Sequence, residues 1–154
     1  MINFYLNNSL FVLYVANNRF VTDVTATDGL WHHICVTWTS QNGDWAVYMD
    51  GAQKAYGTDL SPGVVIPGGG ILVVGQDQDI LGGGFNDPEA FMGEIAQLYV
   101  WPVELQPSDV MVLASTCAPY GMVEIFAWPD ILGGLAGGLE PLPLVHFCRG
   151  QNPV

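Results

Sequence analysis

The sequence predicts an all-β fold, two antiparallel sheets packed as a sandwich with one short helix. Three observations carry this reading. Short runs rich in β-branched and aromatic residues recur along the chain, and Gly and Pro (19 and 10 residues) separate them as turns. Only one convincing stretch places apolar residues at helical spacing. The 154 residues suffice for a single domain with a buried core, and no internal repeat is found.

Leu10–Val15 and Phe20–Val24 read as strands separated by Asn17-Asn18, a pair that tolerates positive φ. After the Thr27-Asp28-Gly29 turn comes Trp31–Thr39, WHHICVTWT. Period two places Trp31, His33, Cys35 and Thr37 on one face, and His32, Ile34, Val36 and Trp38 on the other. Both faces carry bulk, which predicts an interior strand covered on each side. His32 and His33 point opposite ways, cannot share one metal, and read as structural. Trp45–Asp50 and Gln53–Tyr56 are joined through Asp50-Gly51, a strong hairpin signal. Ile71–Val74 reads as a buried strand, and Glu94–Trp101 alternates as another. The helix is expected from Pro107, with Asp109 in its first turn and Val110, Leu113 and Ala114 as its stripe, ending near Cys117. The Gly- and Pro-rich tail predicts irregular chain with short strands at Val123–Phe126 and Leu144–Phe147.

Composition excludes several functions. Fifteen acids stand against Arg19, Lys54 and Arg149, a net charge of −12. Three bases cannot neutralise a phosphate backbone, so nucleic acid is excluded as a partner. No apolar run approaches the roughly eighteen residues of a membrane span, and the first residues lack the basic region of a signal peptide.

Between the Ile71–Val74 and Glu94–Trp101 runs lies GQDQDILGGGFNDPEAFMGE, residues 75–94. Asp77, Asp79, Asp87 and Glu89 crowd together there, with Gln78 and Asn86 among them and no Lys or Arg. Close carboxylates repel unless a positive charge sits between them, and hard oxygen donors suit Ca²⁺. Gly82, Gly83 and Gly84 allow the backbone to fold back and converge those oxygens. A solvated acidic loop with a glycine turn is the competing reading. The loop is not an EF-hand: counted from Asp77, the fifth and twelfth positions hold Leu81 and Pro88.

Cys117 and Cys148 lie in the tail, where a bridge would contribute about 3.5 kcal/mol by restricting the unfolded chain and would imply an oxidising compartment. Three buried free thiols in a reducing compartment are the alternative. Asn7-Asn8-Ser9 is an acceptor sequence for N-glycosylation at Asn7.

DGLWHHICVTWTSQNGDW, YMDG, GGGILVVGQDQD, GGGFNDPEAFMGE and the W-x-x-x-L-x-P segment preceding the helix follow one another in the order and spacing of the pentraxins. Nearly the whole chain resembles that family, above all the neuronal pentraxins and the pentraxin domains of larger extracellular or adhesion receptors. The resemblance implies a jelly roll of the concanavalin A/laminin G kind that holds paired Ca²⁺ and binds phosphorylated or carbohydrate ligands. It also implies assembly into homo-oligomeric rings. Transferred by position, it makes Asp77, the Gln78 carbonyl and Asp79 calcium ligands, with Asn86 and Glu89 completing a second ion and Asn7 and Asn8 contributing from the strand that begins the chain. The fit departs from the family pattern at four places. Asn7 stands where Asp is frequent, Asp77 where Glu is usual, Asn86 where a carboxylate is usual, and Glu89 where the family has Gln. Asn7 as a ligand and Asn7 as a glycan site are competing roles. Cys117 and Cys148 match the tail disulfide of neuronal members, whereas the partner of Cys35 falls before Met1. The resemblance therefore implies a single pentraxin-like domain over residues 1–154 that lacks its N-terminal strands, with 117–154 as a disulfide-stapled tail.

The function expected from this is extracellular, calcium-dependent recognition of a phosphorylated, carbohydrate or protein ligand, without chemistry. An enzyme is the contrasting class, because glycosidases also use this sandwich. A retaining glycosidase needs two carboxylates about 5 Å apart, and no strand here carries acids at such spacing. A calcium-independent structural or adhesion domain working through protein contacts is the alternative.

Overall fold

The computed structural model describes residues 1–7, 9–116, 121 and 123–134, the side chains of Asn3 and Asn7 excepted. The chain divides into two compact units, one formed by Met1–Val64 with the described residues from Gln97 onward, the other by Val65–Ala96.

The first unit holds two three-stranded antiparallel sheets, and each is a simple meander. In one sheet β1 (Ile2–Asn7), β2 (Leu10–Val15) and β3 (Asn18–Val21) pair in order. In the other, β4 (Ile34–Trp38), β5 (Trp45–Met49) and β6 (Ala52–Gly57) do the same. The β5–β6 turn bears out the Asp-Gly signal, since Asp50 and Gly51 take φ of 54° and 80°, the pair of positive values such a hairpin requires. The β2–β3 turn differs from expectation. Val15 pairs with Asn18, so the positive φ falls on Ala16, at 54°, and Asn18 already belongs to the strand. β3 accordingly runs earlier than the expected Phe20–Val24. Beyond it Thr22 remains tied to β2 irregularly, its amide and hydroxyl both donating to the Phe11 carbonyl at 2.9 and 2.8 Å.

The predicted alternation of β4 is observed, although among the described residues β4 stands at the edge of its sheet and β5 at the centre. Ile34, Val36 and Trp38 face a core built from Phe11, Leu13 and Val15 of β2, Val24, Leu60, and Trp45 and Val47 of β5. Cys35 faces the opposite side, where Ala46, Tyr48, Leu105, Val110 and Leu113 form a second cluster. One face of this sheet thus packs on the other sheet and the second face on the helix, which explains why both faces carry bulk. A corner at Leu60-Ser61 fastens the two sheets. Trp38 Nε1 donates to the Leu60 carbonyl at 2.7 Å, and Ser61 Oγ donates to the Val15 carbonyl at 2.7 Å. Gly43 is required here, because a Cβ would stand 2.6 Å from the Leu60 amide nitrogen.

Helix α1 (Pro107–Thr116) starts and stops where the sequence predicts. The Gln106 amide donates to Asp109 Oδ2 at 3.0 Å, which satisfies a donor the helix leaves open at its start. Val110 and Leu113 are its buried positions. A second helix, α2 (Trp128–Leu132), was not anticipated. Its signal was local: Asp130 Oδ2 accepts the Ala127 amide at 2.9 Å, and Pro129 lies in the first turn.

Three expected strands are absent from the described residues. Glu94–Trp101 alternates in sequence, but Gln97 takes φ of 55°, and only a single bridge, Val100 with Phe126, forms there. Ile71–Val74 has β-like composition but no ladder partner among the described residues, and Ile71 and Leu72 are exposed. Of the Val123–Phe126 strand only the Phe126 bridge is present, and Leu144–Phe147 lies outside the described residues.

Candidate calcium-binding loop

Within the second unit the acidic loop is closed at its base and pinched near its tip. The Phe91 amide donates to the Gly75 carbonyl at 2.8 Å, bringing the two ends together. Ile80 and Gly83 exchange amide–carbonyl hydrogen bonds of 3.3 and 2.9 Å around Leu81-Gly82. Gly82 and Gly84 have φ of 71° and 76°, and a Cβ on Gly84 would come within 2.8 Å of the Asp79 Cβ. The glycines therefore do what their composition predicts: they let one arm fold directly against the other.

Asp77 and Asp79 stand on the first arm, and Asn86, Asp87 and Glu89 on the second, where Asp87–Glu89 forms one 3-10 turn. All five side chains are exposed. Asp77 Oδ1 accepts the amide of Gln78 at 2.9 Å. The Gln78 side chain is structural, donating to the Ile71 carbonyl at 3.3 Å and accepting the Gly82 amide at 2.9 Å. That leaves its main-chain carbonyl as the donor the resemblance implies. The Asn86 carbonyl accepts from Gln76 Nε2 and from the Glu89 amide, each at 2.9 Å, so Asn86 could offer only its side-chain amide oxygen to an ion.

The donor chemistry fits a hard cation. Asp77, Asp79, Asp87, Glu89 and Glu94 share this unit with no Lys or Arg. Gln76 adds a feature the sequence reading missed. Its Oε1 is buried and has no hydrogen-bond partner, so an acceptor oxygen at the base of the loop is uncommitted. A neutral amide between Gly75 and Asp77 gave no signal in the sequence beside four carboxylates. The acids themselves remain on separate arms, and among the described residues no three His, Cys, Asp or Glu side chains gather as a metal set. Asn7 ends β1, where its backbone pairs with Leu10. Asn8, Cys117 and Cys148 lie outside the described residues. Cys35 is a free thiol behind α1.

Two antiparallel sheets packed together place the chain in the class of β-sandwich domains, and comparison with known proteins identifies its family. The Pentaxin family model matches residues 1–132. The chain is 46% identical over 139 residues to the mouse (Mus musculus) Sushi, von Willebrand factor type A, EGF and pentraxin domain-containing protein 1, covering 89% of this chain and 4% of that protein. It is 45% identical over 126 residues to human (Homo sapiens) neuronal pentraxin-1, covering 81% of this chain and 29% of that one. Among solved structures, a native heptameric SAP-like pentraxin from Limulus polyphemus superposes with a TM-score of 0.69 at 29% identity, over 81% of this chain and 60% of the other. The chain belongs to the pentraxin family, and its sheets are those of the jelly-roll sandwich. It spans only a small part of the length of the curated relatives it matches.

Proposed function

We propose that this chain is an extracellular recognition module that binds Ca²⁺ at the 75–94 loop and, through it, a phosphorylated, carbohydrate or protein ligand, without catalysing a reaction. The observation that carries the proposal is the closed, base-free loop with its carboxylates on two adjoining arms. Asp77, the Gln78 carbonyl, Asp79, Asn86 and Glu89 would hold the ion. Once bound, calcium would leave coordination positions for oxygens of the ligand. Family membership supports an oxidising, extracellular setting, and the heptameric Limulus relative supports assembly of several copies.

Calorimetric titration tests the reading. Calcium should bind with a Kd on the order of 10⁻⁴ to 10⁻³ M, as in other extracellular modules. Asp79→Ala should abolish binding, and Asp23→Ala, outside the loop, should leave it intact. Unchanged binding in Asp79→Ala would remove the assignment.

A calcium-independent adhesion domain is the second reading. Asn86, neutral where the resemblance has a carboxylate, favours it, as do the exposed Ile80, Leu81, Phe85 and Met92 on the same unit. Ligand binding that survives chelation would select it.

A further inference from the structure

His32 lies in the first unit and shares no residue with the acidic loop. Its Nδ1 is 2.9 Å from Asp50 Oδ2, and its Nε2 is 3.1 Å from both carboxylate oxygens of Asp28. The imidazole side chain is only 8% exposed. A carboxylate can only accept, and a neutral imidazole has one N–H. A neutral ring would therefore turn a lone pair toward one of the two carboxylates at hydrogen-bonding distance. Only the doubly protonated ring donates to both.

The carboxylates themselves are tied to three stretches of chain. Asp50, which opens the β5–β6 turn, accepts the His33 amide at Oδ1 (3.2 Å), and its own amide donates to the His33 carbonyl at 2.8 Å. Asp28 accepts the Leu30 amide at 3.0 Å. The ring thus joins the turn at Asp28, the residues leading into β4 and the turn at Asp50. Between its anchor points Leu30 and Trp31 are 68% and 42% exposed.

We propose that His32 is a pH-operated latch: doubly protonated, it ties the 28–31 loop to the β5–β6 turn, and on losing a proton it releases that loop and changes how Leu30 and Trp31 are presented. Asp28 and Asp50 are the charged groups acting on the ring. The helix packed on the same turn meets Gly51 through Met111 and Ala114, which do not titrate. The hydrogen bond to Asp50, aided by Asp28, raises the His32 pKa above its ordinary 6.5, against the opposing effect of burial. In His33 burial dominates and lowers the pKa despite Asp50, so the two neighbours shift in opposite directions. Asp28 is held below 3.8, first by the Leu30 amide and then by His32. The His32 contribution is complete below its unfolded value of 6.5 and is lost as pH rises through the folded midpoint. The Asp28 contribution is complete above 3.8 and is lost as pH falls through its own folded midpoint. The latch is closed in mild acid and opens on the alkaline side.

The test is an NMR titration of ¹⁵N-labelled imidazoles in the full chain, joined to hydrogen exchange of residues 28–33 at acid and alkaline pH, corrected for intrinsic exchange. His32 should titrate above 6.5 and His33 below it. On the alkaline side, protection of the Leu30 and His33 amides should fall by about tenfold for each pH unit by which the folded His32 midpoint exceeds the unfolded one. In His32→Gln that pH dependence should vanish, and Asp28→Asn should lower the His32 midpoint. A His32 midpoint at or below 6.5, or the same pH dependence in wild type and His32→Gln, would overturn the latch. Should His32→Gln fail to fold, the paired titrations of wild type and Asp28→Asn decide the question: an unmoved midpoint rejects it.

Discussion

Cys35 shows how far a single residue can be read from its neighbours. Period two placed it on the face opposite Ile34 and Val36, and it packs there against Tyr48 and the α1 side chains. Burial pushes its thiol up to about 11, so little thiolate exists at neutral pH. Native-state alkylation by iodoacetamide should therefore leave Cys35 largely unmodified at pH 8, with labelling rising steeply toward pH 11 or on unfolding. Non-reducing peptide mapping should join Cys117 to Cys148 and not to Cys35; a bridge from Cys35 to either would refute the tail pairing proposed from the resemblance. Other residues were less legible because their signal was conformational and not compositional. Asp50-Gly51 announces its positive φ values by residue type, whereas Ala16 and Gln97 adopt φ of 54° and 55° with side chains that do not favour it. Gln76 is marked only by a buried, uncommitted oxygen, which no spacing in the sequence could reveal.

Elements were legible in proportion to how much of their stability is local. Helix α1 carries its own start signal in Pro107 and Asp109 and its own apolar stripe, and the structure agrees on all three. Hairpin β5–β6 is similarly local. A strand is different, because its backbone groups are satisfied by another stretch of chain. Ile71–Val74 has suitable composition, but no ladder partner exists for it among the described residues. In the candidate site the same division holds: the carboxylates and glycines were visible, but the hydrogen bonds that assign each arm its place were not. The packing of α1 gives a direct prediction. Leu113 is 7% exposed within the cluster that covers β4 and β5. Leu113→Ala should cost about 2–5 kcal/mol in urea unfolding, from lost burial and the cavity left behind. Val112→Ala, at an exposed position of the same helix, should change stability by less than about 0.5 kcal/mol. Equal effects at the two positions would mean that α1 does not pack as described.

For the whole molecule, the balance of charge sets the expected response to metal. A chain of net charge −12 with three bases gains little from internal ion pairs, and the Val65–Ala96 unit, with five acids and no base, gains none of its own. Without metal, the loop carboxylates repel, and freeing three consecutive glycines is entropically favourable. Calcium would compensate the charge and bind only the folded loop, so it should stabilise by RT ln(1 + [L]/Kd). At calcium about tenfold above Kd this is about 1.4 kcal/mol, growing only logarithmically thereafter. The shift in thermal unfolding should therefore be modest. Chymotrypsin reports on the same event, because Leu81 and Phe85 are 73% and 54% exposed at and beside the tip. Calcium should slow cutting at these two residues, and chelator should restore it. Acid should cancel the stabilisation, since protonated carboxylates are poor ligands. Added NaCl should mimic only part of it, because screening weakens repulsion between exposed charges without organising the two arms. Equal cutting with and without chelator would favour the adhesion reading, in which the loop works through its apolar side chains and not through an ion.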